Sequence, residues 1–281
     1  MNISVKAHAK INLTLKVMGK RADGYHELET IMQTIALHDV LTFSAHQHQI
    51  KLSVAGMAPL GEDNLVYRAA ELVREYSGCQ SGVEIELVKN IPMAAGLAGG
   101  STDAAATLLG LNKLWHLNLD FKQLLYLAEK LGADVPFCLL GGTALAKGKG
   151  ERLTPLGTPA PMGVVLVKPP FGVSTADVFQ RFSGAQLGNR PDTQAMIAAL
   201  NKGMLADITR HLANDLEYVT LEMYPQLREI KEQLTLAGAS GVLMSGSGPT
   251  IFALTGDRQR AEQVAAKLKL PETQIIVTTT G

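Results

Sequence analysis

The chain has 281 residues, of which 46% are hydrophobic and 19% charged; that is enough for one large or two ordinary packed domains and excludes a disordered polymer. Lys plus Arg and Asp plus Glu both total 26, so there is no basic excess to neutralise a nucleic-acid backbone, and nucleic acid is not an expected partner. Cys79 and Cys138 stand outside any CxxC pair, which argues against a disulfide framework or zinc site; with no signal-peptide pattern and no run of about 18 apolar residues, the expected address is the cytoplasm, with no membrane partner.

From Ile3 to Val17 every odd residue is apolar and every even one from Ser4 to Lys16 is polar. Period two predicts a strand, long enough that a bend or break is expected within it, with Lys10, Asn12 and Thr14 on the face turned off the core. Gly19 to His26 reads as a loop with Asp23-Gly24 as its turn. A helix is predicted over 64–78 from the spacing of Leu65, Ala69, Leu72, Val73 and Tyr76, and a strand from Val83, Ile85 and Leu87. Pro92 to Thr102 follows as a Gly/Ala-rich loop, then a helix from about Asp103 to Trp115, in which Ser101 and Thr102 are candidate caps. A further helix opens at Asp120 and stops at Gly132, two residues before Asp134.

Beyond a Pro/Gly-rich stretch at 154–163 the chain reads as strand (Val164–Val167), helices (about 193–238), strands (Val242–Ser245 and Thr250–Leu254), helix (258–268) and strand (274–278). That order is the split βαβ pattern, so a boundary is expected near residue 157, giving domains 1–157 and 158–281. His46 and His48 on one strand face, the turn at Gly148-Lys-Gly150, the helix surface around Lys231 and Glu232, and the aliphatic run Leu108–Leu114 carry no evident chemistry.

The Pro92–Thr102 loop is the segment with the most chemical content. Gly96, Gly99 and Gly100 leave backbone N–H groups unobstructed ahead of a helix N-terminus, which suits phosphate; a plain glycine-rich connector is the competing reading. The loop lacks the ending of a Walker A loop and the G-x-G-x-x-G of a dinucleotide site.

Ala9-Lys-Ile-Asn12, Pro92 to Thr102, Gly132-Ala-Asp-Val-Pro136 and Ser245-Gly-Ser-Gly248 occur in the order found in the GHMP kinase superfamily, and the chain resembles its members over nearly its whole length. Ala9 to Leu13, Arg21 to His26 and Leu131 to Phe137 are similar to the branch acting on a cytidine diphosphate-linked methylerythritol in non-mevalonate isoprenoid synthesis. The resemblance implies an α+β fold, with a ribosomal protein S5 domain 2-like N-terminal domain and a ferredoxin-like C-terminal one. It implies an ATP- and Mg2+-dependent kinase of that small molecule, with Asp134 as general base and Lys10 stabilising charge. It assigns ATP to Asn64, Pro92, Met93, Ala94, Ala95, Gly96, Leu97, Ala98, Gly99, Gly100, Ser101 and Thr102, and the substrate to Asn12, Tyr25 and His26. Ser245, Gly246, Ser247 and Gly248 form its third motif. No magnesium-holding carboxylate and no oligomeric state are implied. Some relatives carry glycine where this chain has Ala94, Ala95 and Ala98, so negative φ is expected at those positions. Kinases of homoserine, mevalonate or a sugar, and a non-catalytic ATP or metabolite sensor, are the alternatives.

Overall fold

The period-two pattern at the start produces one uninterrupted strand, β1 (Asn2–Lys20); the expected break is absent. The computed structural model describes residues 2–56, 61–182 and 190–281. After β1 come β2 (His26–His46), β3 (Ile50–Ala55), α1 (Leu65–Ser77), β4 (Gly82–Val88), α2 (Gly99–Leu114), α3 (Phe121–Leu131) and α4 (Val135–Leu140). The hairpin β5 (Thr143–Gly148) and β6 (Arg152–Leu156) precedes β7 (Gly163–Lys168). Then follow α5 (Thr175–Arg181), α6 (Thr193–Lys202), α7 (Leu205–Arg210), β8 (Ala213–Asn214), α8 (Asp215–Met223) and α9 (Gln226–Leu236). The chain closes with β9 (Gly241–Met244), β10 (Ile251–Thr255), α10 (Arg258–Ala265) and β11 (Gln274–Thr279).

These elements form two compact units, and β1 and β2 each contribute to both. The first comprises residues up to Ala9, Leu37–Met93 and Ala98–Gly141. In it β3 pairs parallel with β4, and β4 antiparallel with the second half of β2 from Val40↔Val88 to His46↔Gly82. Helices α1, α2, α3 and α4 bury their apolar sides with Leu41, Phe43, Ile85 and Leu87 in one core. Helix α2 is buried over Thr102–Leu108. It comes so close to the sheet at Gly110 that a Cβ there would lie 2.4 Å from the Phe43 ring. Helix α1 begins at Asn64, whose side chain accepts from Val66 N, and α3 begins with a capping box at Asp120.

The second unit comprises Lys10–Ala36, Ala94–Leu97 and Gly142–Gly281. The first half of β2 pairs antiparallel with β5 from Leu28↔Gly148 to Gln33↔Thr143, and β8 pairs parallel with β1 at Thr14↔Ala213 and Leu15↔Asn214. A four-stranded antiparallel sheet of order β11-β7-β10-β9 carries the split βαβ pattern expected from the sequence. Its core gathers Leu15, Val165, Val167, Leu216, Ile251, Ala253 and Val264.

Three readings of the sequence need correction. Lys10, Asn12 and Thr14 do leave the apolar core, but they are 4%, 2% and 0% exposed, so this strand face is covered rather than solvated. Helix α2 begins at Gly99, four residues earlier than expected, because Ala98 turns the chain and its carbonyl accepts from Thr102 N at 2.9 Å. Ser101 and Thr102 are therefore inside the helix, not its caps. Finally, β2 ends at His46, so His48 does not share a strand face with it.

Candidate active site

A buried polar cluster covers the middle of β1. Alternation along the strand points Lys10, Asn12 and Thr14 the same way, and each finds a partner, as buried polar groups must. Lys10 Nζ donates to Asn12 Oδ1 at 2.8 Å and to the Gly96 carbonyl at 3.2 Å. Asn12 Nδ2 donates to Thr30 Oγ1 at 2.8 Å, and Thr14 Oγ1 accepts from Ile31 N at 3.1 Å. The Gly96 carbonyl also accepts from Ser245 Oγ at 2.9 Å. Lys10, Gly96 and Ser245, from three separate motifs of the sequence, thus meet at one oxygen.

Only glycine fits at that meeting point. A Cβ at Gly96 would lie 2.2 Å from the Ser245 carbonyl oxygen, and φ there is 73°. The turn Ser245–Gly248 joins β9 to β10, with Ser245 N donating to Thr250 O at 3.0 Å and Gly248 N to Ser245 O at 3.0 Å. A Cβ at Gly246 would stand 3.6 Å from Asn12 Oδ1, so the turn lies close over Asn12.

The loop itself corrects one expectation. Ala94 and Ala98 have φ of 48° and 59°, in the left-handed region; only Ala95 of the three alanines avoids it. Each costs about 1–2 kcal/mol of backbone strain. The surroundings hold the conformation: Lys10 N donates to Leu97 O at 3.2 Å, the Leu97 side chain is buried, and Ala98 O closes the first turn of α2. Helix α2 has no side-chain cap, so its leading N–H groups face the loop without a built-in oxygen. Thr102 instead spends its hydroxyl on His8 O at 2.7 Å. Pro92 and Gly99 are half-buried, and Met93 and Gly100 are exposed.

In the unit that holds α2, Asn64 is buried and uses its carbonyl oxygen to cap α1. Asp134 is half-buried and immediately precedes α4, with right-handed backbone and no capping bond from its side chain. It sits where a helix N-terminus adds positive potential to a carboxylate.

Sequence reasoning missed a buried ionic group beside the same loop. Lys89, the residue after β4, contacts Asp39 and lies 2.7 Å from Asp103 Oδ2 on α2; all three side chains are at most 7% exposed. Asp39 Oδ1 accepts from Asn90 N and Ile91 N at 2.5 and 2.8 Å, fixing the entry to the loop. Burial pushes Asp103 up to about 7, with Lys89 opposing and Asp39 reinforcing the rise. Among the described residues Oδ1 of Asp103 has no hydrogen-bond partner. A Lys after a strand and an Asp at a helix start look ordinary in sequence; only the fold brings them together. Among the described residues no group of three or more His, Cys, Asp or Glu is arranged to hold a metal.

Tyr25 and His26 stand at the turn between β1 and β2, where Arg21 N donates to Tyr25 O at 2.7 Å and Tyr25 N to Asp23 Oδ1 at 3.1 Å. The Tyr25 ring is 59% exposed, with Lys149 Nζ 4.3 Å from its centroid. His26 stacks on Phe179 at 4.8 Å and meets Phe182 edge-on at 6.3 Å. Burial, and secondarily the charge of Lys20, lower its pKa, which favours the neutral imidazole. The packing of Phe179 and Phe182 against His26 was not visible in the sequence.

Residues 64–142 match the GHMP kinases N terminal domain and 196–271 the GHMP kinases C terminal domain. A 4-diphosphocytidyl-2-C-methyl-D-erythritol kinase of Pelotomaculum thermopropionicum is 55% identical, covering 100% of this chain and 98% of its own. A crystal structure of a 4-(cytidine 5'-diphospho)-2C-methyl-D-erythritol kinase superposes with TM-score 0.87 at 38% identity, covering 99% of both chains. A homoserine kinase from Cytophaga hutchinsonii shares the fold at TM-score 0.79 and 22% identity, covering 100% of this chain and 94% of its own. Full-length identity of this order, with the motifs assembled as described, places the chain among the small-molecule kinases: it belongs to the 4-diphosphocytidyl-2-C-methyl-D-erythritol kinase family of the GHMP kinases.

Proposed function

We propose that this kinase transfers the γ-phosphoryl group of ATP to the 2-hydroxyl of 4-diphosphocytidyl-2-C-methyl-D-erythritol, in the cytoplasm, as a step of non-mevalonate isoprenoid synthesis. Asp134 accepts the hydroxyl proton and Lys10 stabilises the charge that develops on the acceptor oxygen. Phosphoryl transfer asks a protein for positioning and charge neutralisation above all, and a carboxylate and an ammonium answer both needs.

The loop from Pro92 to Thr102 takes the phosphates and Asn64 lies by the adenine. Its fit to a nucleotide is supported by the uncapped start of α2 and by the glycine-only position at 96. Mg2+ would be held chiefly by the nucleotide's own phosphate oxygens, and supplies neutralisation of their charge. Asn12 contacts the methylerythritol, while Tyr25 and His26 take the cytosine. An exposed ring and a neutral imidazole packed on Phe179 suit a planar base with both donors and acceptors. The two family domains would divide as 1–157 and 158–281.

The observation that carries this reading is the meeting of Lys10 and Ser245 on the Gly96 carbonyl, which ties the first strand, the phosphate loop and the third motif into one arrangement. Its test is ADP release by the purified protein with ATP, Mg2+ and the cytidyl substrate, run beside homoserine and mevalonate. Turnover of the cytidyl compound alone is the expected result; turnover of homoserine or mevalonate without it would overturn the substrate.

A further inference from the structure

The turn Ser245–Gly248 contains two glycines at positive φ, 59° at Gly246 and 88° at Gly248. Such a turn is costly to order, because glycine has the most backbone freedom to lose. Its neighbour supplies the order. On α8 and its cap, Asn214, Glu217 and Thr220 stand at i, i+3 and i+6, on one helical face, and each bonds the backbone of the turn or of the strand leading into it. Asn214 Nδ2 donates to Met244 O at 2.9 Å and Gly246 O at 2.7 Å. Glu217 Oε1 accepts from Met244 N at 2.9 Å. Thr220 Oγ1 donates to Ser247 O at 3.2 Å.

The same helix start is anchored to the strand that carries Lys10. Asp215 Oδ2 accepts from Val17 N at 2.9 Å, and Leu15 pairs with Asn214 across the β1–β8 ladder. Asn214 keeps its carbonyl oxygen for Leu216 N at 2.9 Å, so all three of its amide bonds are spent on holding other groups in place.

We propose that this face of α8 is a splint for the glycine-rich turn. Its residues are positioning residues: they set the Ser245 hydroxyl, and through Gly96 the Lys10 ammonium, before substrate arrives. The inference rests on the role given above to Lys10. A helix suits the task because its own ladder fixes the spacing of the three side chains, and preorganisation of this kind acts on the chemical step more than on substrate affinity.

The test uses the full chain carrying Asn214→Asp, which keeps the cap on Leu216 but sets oxygen against the two carbonyls. Thr220→Val and Thr220→Ser are made beside it. Amide hydrogen exchange at Ser245 and Gly248 is expected to speed up at least tenfold in Asn214→Asp, with the amides of β10 unchanged. Its kcat is expected to fall tenfold or more while KM for ATP stays within about threefold. Thr220→Val should lose several-fold in kcat, and Thr220→Ser, which retains the hydroxyl, should match the wild type. If Asn214→Asp does not fold, the Thr220 pair decides by the same readouts. Unchanged exchange at the turn overturns the splint, and so does faster exchange with kcat within twofold of wild type. Absence of wild-type turnover on the cytidyl substrate would sink the proposed reaction instead, and the exchange measurement would still decide the splint.

Discussion

Ser245 donates its hydroxyl to the carbonyl of Gly96 at 2.9 Å, across 149 positions of sequence, and the Lys10 ammonium reaches the same oxygen at 3.2 Å. That carbonyl registers the Pro92–Thr102 loop against the first strand. Gly96→Ala drives a Cβ to 2.2 Å from the Ser245 carbonyl at a φ of 73°, so we expect a loss of roughly 2–5 kcal/mol in chemical denaturation. Ser245→Ala removes one hydrogen bond and should cost about 1 kcal/mol. Equal stabilities for the two variants would mean that the loop moves freely away from the turn.

The left-handed alanines give a prediction of opposite sign. Ala98→Gly relieves about 1–2 kcal/mol of strain and returns about 0.4–1 kcal/mol of unfolded-chain entropy. We expect a net gain of about 0–1.6 kcal/mol in urea unfolding, and a similar effect for Ala94→Gly. Destabilisation by either variant would show that the alanine methyl packs more than its backbone strains.

The buried Lys89–Asp39–Asp103 group should make stability depend on pH. An unfolded Asp titrates near 3.9, roughly, whereas Asp103 in the fold is pushed up to about 7. Between these values the native state holds the extra proton, so this contribution to stability is full below about 3.9, shrinks as pH rises, and is gone once pH passes about 7. Thermal unfolding from pH 4.5 to 8.5 should show Tm falling as pH rises to about 7 and levelling off above it, and Asp103→Asn, which cannot ionise, should flatten that fall. A variant with the wild-type pH profile would assign the titration elsewhere.

His26 carries a second pH signature. Its pKa lies below the ordinary value of about 6.5, so neutral imidazole prevails above that pH. In the proposed role, KM for the cytidyl substrate stays flat above about pH 6.5 and rises below it as the acceptor nitrogen is protonated. His26→Gln keeps a donor and an acceptor without titrating, and should abolish the acid limb. Persistence of that limb in the variant would place it on another group.

Much of this was legible in the sequence for local reasons. Period two revealed β1, the order of elements after Gly163 revealed the split βαβ sheet, and Asn64, Asp120 and Gly132 marked helix ends because caps are chosen by local chemistry. What stayed hidden depends on distant partners. The polar face of β1 reads as solvated unless the turn that covers it is known. The start of α2 at Gly99 contradicts helix propensity and follows from a left-handed alanine held by its surroundings. Asn214-Asp-Leu-Glu217 looks like any helix start, since capping residues there are commonplace. Its bonds to Met244 and Gly246 exist only once α8 lies along the turn.

The central chemical assignment is tested most directly by following phosphoryl transfer to the cytidyl substrate by 31P NMR, with wild type and Asp134→Asn side by side at saturating ATP. Removing a general base typically costs about 10²–10⁴-fold. We expect the wild type to form the phosphorylated product and the variant to lose at least a hundredfold in rate while binding ATP with unchanged affinity. Product formation by Asp134→Asn within tenfold of the wild-type rate would contradict the assignment of that carboxylate as the base.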